Sequence, residues 1–149
     1  MNDTPPKPAL RATSRSLPIA MLRARENLMS PLRLMLGKGG VTEQQWRVLR
    51  VLGEGGEMDP KDIARQACLL NPSLTRIMQI LDKKGLITRA PHPTDRRRVL
   101  VSITGKGTAL IDRLTPESNR IFADLETKYG RERMDELLDL LNALSDVEI

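Results

Sequence analysis

The chain has 149 residues and a formal net charge of +5, with one cysteine and one histidine. The lone Cys68 excludes an internal disulfide framework, the lone His92 excludes a histidine metal cluster within one chain, and no apolar run is long enough to span a membrane. Trp46, Phe122 and Tyr129 are the only aromatics, too few for a base-stacking platform that binds single strands, and the start of the chain lacks a leader-like apolar stretch, which points to the cytoplasm.

Residues 1–15 are rich in proline and polar groups and read as a disordered tail. The first helix is expected from about Leu17 to Leu36, on the helical spacing of Met21, Leu22, Leu28, Met29, Leu32, Met35 and Leu36. Pro31 lies inside it and predicts a kink. The second helix starts at a capping box, Thr42 and Gln45, with Val41 placed to staple onto Trp46. Leu49 and Leu52 continue its stripe to a stop at Gly53–Gly56. A short third helix has Asp59 as cap and Pro60 at its first position, with Ile63, Ala64, Ala67 and Cys68 on its inner face. The fourth has Asn71 as cap and Pro72 first. Leu74, Ile77, Met78 and Leu81 point inward together, and Arg76, Gln79 and Lys83 face the other way, with Ser73 and Thr75 beside them.

Two antiparallel strands follow, Leu86–Arg89 and Val99–Ile103, joined by a turn over His92–Arg98 that Pro91 and Pro93 stiffen. A fifth helix starts at Thr104 and carries Leu110, Ile111 and Leu114. Pro116 should kink or break it, with Thr115 as a new cap. Ile121, Phe122 and Leu125 continue the pattern. After Gly130 a last helix carries Met134, Leu137, Leu138, Leu141 and Leu144. Two short, nearly adjacent helices followed at once by a two-stranded wing make a winged helix-turn-helix. The expected fold is therefore mostly α with a small β-wing. Residues 41–103 form the DNA-binding lobe, and residues 16–40 and 104–149 form dimerisation helices drawn from both chain ends.

Charge follows the same division. From Asp82 to Lys106 there are seven basic and two acidic residues, and from Pro116 to Ile149 four basic and nine acidic. A basic middle and an acidic end put an anion on one face and protein or solvent on the other. Arg96, Arg97 and Arg98 stand together at the hairpin tip, where they can hardly be core and cannot spread apart. Such a prong suits a DNA minor groove, against the plainer reading of a solvated loop.

Asp95-x-Arg97, the strand after it, and Ile103-Thr104-x-x-Gly107 resemble the wing signature of MarR-type transcriptional regulators. Leu81, Lys84, Gly85, Leu86 and Ile87 are also typical of that family. The resemblance covers residues 17–145. Within the family, Leu17–Glu26, Thr42–Arg50 and Ala67–Thr75 resemble repressors of homoprotocatechuate (3,4-dihydroxyphenylacetate) degradation operons and related aromatic-acid pathways. This implies a homodimer that binds a pseudo-palindromic operator in double-stranded DNA and releases it when a small aromatic carboxylate binds. The alternatives are a regulator of stress or efflux genes of the same family, or a DNA binder with no small ligand.

The residues expected to contact DNA are Asn71, Ser73, Thr75, Arg76 and Gln79 on the fourth helix and Arg96, Arg97 and Arg98 on the wing. Arg can pair bidentately with guanine and Gln with adenine. Asp95 is expected to orient Arg97 rather than touch DNA, since a carboxylate repels phosphate. Arg23, Trp46, Arg47 and Arg50 are the expected ligand-binding residues, with Arg25 a further candidate, against the plainer reading of surface pairs with Glu26 or Glu43. Cys68 reads as structural rather than redox-active, and His92 as a wing residue rather than a metal ligand. There is no glycine-rich phosphate loop and no nucleophile motif, so neither an enzyme nor a cofactor or metal is expected.

Overall fold

A computed structural model of the chain describes residues 8–149. Residues 1–7 of the expected tail lie outside this range. The rest is not wholly irregular: Thr13–Arg15 forms one 3-10 turn in which the Arg15 N–H donates to the Ala12 carbonyl at 2.8 Å, although it buries no side chain.

Six α-helices and two strands follow among the described residues: α1 (Leu17–Lys38), α2 (Glu43–Gly55), α3 (Pro60–Ala67), α4 (Asn71–Lys83), β1 (Ile87–Pro91), β2 (Val99–Ile103), α5 (Gly105–Tyr129) and α6 (Arg131–Ser145). The capping chemistry sets several boundaries. Thr42 accepts from the Gln45 N–H at 3.2 Å, and Gln45 accepts from the Thr42 N–H at 3.1 Å, which closes the box that starts α2. Asp59 accepts from the Asp62 N–H at 3.1 Å and starts α3. The start of α4 departs from expectation. Leu70, not Asn71, is its N-cap, no side chain caps it, and Pro72 sits one position later than expected. The proline lacks an N–H, so the first turn has one fewer donor to satisfy.

Neither internal proline interrupts its helix. α1 runs on through Pro31, and α5 is continuous through Pro116. Thr115 does not act as a new cap; its hydroxyl donates to the Ile111 carbonyl at 2.7 Å, within an unbroken helix. Packing on both sides of Pro116 outweighs the lost bond, since Leu110, Leu114 and Ser118 are all buried. α2 likewise passes Gly53 and ends only at Gly56, whose φ of 74° suits glycine.

Cys68 does not lie on the inner face of α3 as expected. It is exposed and is the C-cap of α3, with φ 53°, a left-handed conformation that costs a non-glycine residue about 1–2 kcal/mol. The inner face of α3 is Ile63, Ala64 and Ala67 only.

One core fills the space between α2, α3, α4 and the strands. Val48, Leu49, Leu52, Ile63, Leu74, Leu81, Ile87 and Val101 are almost wholly shielded from solvent. The lower end of α1 (Leu32, Met35, Leu36) and the first half of α5 (Leu110, Leu114) close it. Each of the four inward residues of α4 is worth about 1.5–3 kcal/mol by burial, so that face decides where α4 lies.

The strands pair antiparallel, with Ile87 opposite Ile103 and Pro91 opposite Val99. On its other edge β2 exchanges two backbone bonds with Met58, at 2.9 and 3.1 Å, so the wing is rooted in the segment before α3. Where the wing meets α5 there is no slack. Thr104 donates its N–H to the Leu86 carbonyl at 3.0 Å and its hydroxyl to the Gly85 carbonyl at 2.7 Å. A Cβ on Gly107 would lie 2.4 Å from the Leu86 carbonyl oxygen, so only glycine fits there.

Candidate nucleic-acid interface

With the apolar side of α4 fixed inward, the opposite side must face out. Asn71, Thr75, Arg76 and Gln79 are exposed, while Ser73 is half-buried. Thr75 back-bonds to the Asn71 carbonyl at 3.1 Å, which leaves its hydroxyl oxygen free to accept. No hydrogen-bond or ion-pair partner occupies Arg76 or Gln79 among the described residues. Their long side chains are unengaged donors on a rigid helix, as base-edge readout requires.

The wing is held at both ends. At its base Arg89 on β1 forks onto Asp82 near the end of α4, at 2.8 and 3.0 Å. At its tip Arg98 donates to Asp59, the cap of α3, at 2.8 Å. Arg98 is therefore not part of a free triple prong. Its guanidinium is drawn back to the lobe, and Arg96 and Arg97 remain as the projecting, unpaired cations. Asp59 lies 39 positions away from Arg98, a pairing that no local spacing reveals.

Asp95 acts on Arg97 through the backbone. Its carboxylate accepts the Arg97 N–H at 3.0 Å and closes the turn, rather than pairing with the guanidinium. His92 locks the other side of the turn. Its Nδ1 accepts from the Thr94 and Asp95 N–H groups, both at 3.2 Å, so the neutral ring carries its proton on Nε2. Asp59 serves two donors. The Asp62 N–H, followed by Arg98, holds its carboxyl below the usual aspartate range.

The residues expected to bind a ligand are not gathered as a set. Arg47 is committed to the lobe. It donates to the Ala67 carbonyl at 2.8 Å and the Cys68 carbonyl at 3.4 Å, its Nε is buried without a partner, and it thereby ties α2 to the turn before α4. Arg50 pairs with Glu54 at 2.6 Å, and Arg23 is exposed without a partner among the described residues. Trp46 is half-buried against the core. By helical spacing Glu43, Trp46 and Arg50 share one face of α2. Arg25 from α1 pairs with Glu43 at the start of that face, and Arg33 reaches Glu43 at 3.5 Å. An open groove of about 500 Å³ runs between α1 and α2 here, with Arg25, Arg33 and Glu43 over Leu36 and Val41. Arg33 also forks onto Glu26, whose carboxyl it holds below the ordinary range. Sequence reasoning missed Arg33, although its spacing from Glu26, two helical turns away, is a local signal.

No group of three or more potential metal-ligating side chains occurs among the described residues, and no described helix is long and apolar enough to cross a membrane.

The model of the MarR family matches residues 41–99, the span from α2 through the wing tip. The chain is 41% identical over 133 residues to the HTH-type transcriptional regulator FarR of Neisseria gonorrhoeae, covering 89% of this chain and 91% of that protein. It is 39% identical over 126 residues to the homoprotocatechuate degradative operon repressor of Escherichia coli, covering 85% of each. Among solved structures, NadR in complex with 4-hydroxyphenylacetate superposes with a TM-score of 0.81 at 39% identity, over 96% of this chain and 99% of that one.

Proposed function

The chain belongs to the MarR family of transcriptional regulators, and from that premise we propose that it is a homodimeric repressor of an operon for aromatic-compound breakdown, released from its operator by a small aromatic carboxylate. The observation that carries the DNA half is the pairing of two exposed cationic elements on one lobe. Arg76 and Gln79 project from α4, and Arg96 and Arg97 project from a wing tethered at base and tip. α4 enters the major groove with Asn71, Thr75, Arg76 and Gln79 leading, while the wing tip follows the neighbouring minor groove or backbone. Ser73, being half-buried, positions this turn. In a two-fold dimer, the operator half-sites fall about one helical turn apart.

For the effector, the supporting arrangement is the α2 face of Trp46 and Arg50 with Arg25 at its end. An aromatic ring lies on Trp46, and its carboxylate takes one of these guanidinium groups from its present carboxylate partner. Arg47 stays with α3. One similar protein represses an operon for homoprotocatechuate degradation and another is solved in complex with 4-hydroxyphenylacetate, which sets the ligand class to test: phenolic arylacetates. A tenfold loss of operator affinity on binding corresponds to about 1.4 kcal/mol of coupling.

The test is operator binding by the full-length protein, measured against a panel of 4-hydroxyphenylacetate, 3,4-dihydroxyphenylacetate, a hydroxycinnamate and benzoate. Release by one of the arylacetates, lost in Trp46→Ala while operator binding by that variant persists, is the expected result. Equal affinity for operator and random duplex at physiological salt would sink the repressor reading. Tight operator binding that no panel member shifts would sink the sensing half alone.

A further inference from the structure

A second groove, of about 420 Å³, lies where the α1–α2 connector, the end of α4 and the start of α5 come together. Its apolar part is Leu86, Ala109 and Leu110, and its charged part is Lys84, Lys106 and Arg113. No carboxylate lines it. Of the acids nearby in sequence, Asp82 holds Arg89, and Glu117, one helical turn beyond Arg113, holds Lys38 at 3.1 Å, while Asp112, next to Arg113, is exposed, does not line the groove and pairs with no cation among the described residues.

Two of the three cations are pinned in place by the backbone. The Lys84 ammonium donates to the Gly40 carbonyl at 2.6 Å, and the Lys106 ammonium donates to the Lys84 carbonyl at 2.9 Å. Each ammonium has three donors and spends one, so four N–H bonds remain between them. Arg113 has no partner among the described residues and contributes its whole fork. Three unneutralised cations around an apolar wall, in a space within the usual 300–1,000 Å³ of ligand pockets, match a ligand with two negative charges on an apolar body.

We propose that this groove is a second ligand site, separate from the Trp46 face, which binds a small dianion with a hydrophobic part through Lys84, Lys106 and Arg113. The dianionic chemistry can come from an aromatic dicarboxylate or from an aryl phosphate ester. This inference stands independently of the effector reading above, because it uses none of the same residues.

The test is calorimetric titration of the full-length protein with phthalate and with phenyl phosphate, and with benzoate and inorganic phosphate as probes that lack one part of the ligand. The expected result is that at least one of the two aryl dianions binds at least about tenfold more tightly than benzoate or inorganic phosphate, since each adds a charge-assisted contact or an apolar one. Phthalate and phenyl phosphate tell the two sources apart. Arg113→Gln should weaken that binding about tenfold, and Lys106→Gln should do the same, with thermal unfolding of Arg113→Gln unchanged because the side chain is unpaired. Trp46→Ala should leave it untouched. Three outcomes would each overturn the proposal. One is no binding of either aryl dianion at millimolar concentration. Another is binding that Arg113→Gln and Lys106→Gln leave intact. The third is binding lost in Trp46→Ala, which would place the probe on the α2 face. A wild-type protein that ignores both aryl dianions but loses operator affinity in Arg113→Gln would give the groove to the DNA backbone instead.

Discussion

The central lobe and the two chain ends both carry many leucines, but in opposite conditions. In the lobe, Leu49, Leu52, Leu74 and Leu81 have essentially no contact with solvent. In α6 no residue is buried, and Leu137, Leu138, Leu140, Leu141 and Leu144 are all more than a third exposed; Leu17, Met21 and Leu22 at the start of α1 share that condition. The lobe finishes its core within one chain. The ends present a leucine-rich surface that a single chain does not cover, which is the surface the proposed dimer would bury. Stability of the lobe and assembly of the ends should therefore respond to different mutations.

The largest break in that comparison is removal of residues 131–149. The expected outcome is loss of the dimer by sedimentation and at least about a hundredfold loss of operator affinity, because two half-sites no longer share one protein. A truncated protein that still sediments as a stable dimer would refute the division of labour. Next comes a matched pair of leucine deletions. Leu81→Ala should cost about 2–5 kcal/mol in urea unfolding of the lobe. Leu141→Ala should change lobe unfolding by less than about 0.5 kcal/mol while raising the dimer dissociation constant. Equal effects on both readouts would erase the distinction.

Within the lobe, the wing arginines sharpen the contrast between contact and tether. Arg97→Ala should reduce the slope of log affinity against log salt by about one unit, with little change in sequence preference. Arg98→Ala should act through Asp59 as well. The folded-state pKa of Asp59 is lowered, so its contribution to stability is present above the unfolded value near 4 and is lost as pH falls through the folded value. Without Arg98 that loss should begin at higher pH, an upward shift in the acid-unfolding midpoint that Arg97→Ala should not produce. The smallest effect is a gain. Cys68→Gly should stabilise the lobe by about 1 kcal/mol, since glycine adopts the left-handed cap without strain.

Local chemistry made most of this molecule readable in advance. The Thr42–Gln45 box, the Asp59 cap, the inward set on α4 and the strand Val99–Ile103 all lie where spacing and capping rules put them. The failures share a cause, which is that tertiary partners override local rules. Pro116 does not break α5 because buried neighbours hold the helix together, and Asn71 does not cap α4 because Leu70 takes that position. Arg98 was expected to contact DNA and Arg47 to bind a ligand, but each is claimed by a group distant in sequence: Asp59 for the first, the end of α3 for the second. Of the interface, the exposed side of α4 and the two projecting wing arginines were legible, while the tethers Asp59–Arg98 and Asp82–Arg89 were not.

The tight corner at Gly107 has a mechanical consequence. α5 is 25 residues long, so it is a lever arm of about 37 Å whose near end is fastened to the wing base. A tilt of about 5° at that joint sweeps the far end through about 3 Å, and the same gearing runs in reverse. Any side chain larger than hydrogen at position 107 would prise Leu86 away and loosen the fulcrum. In the proposed dimer, the stiffness with which one reading head is aimed relative to the other would be set at a glycine that need touch neither DNA nor ligand.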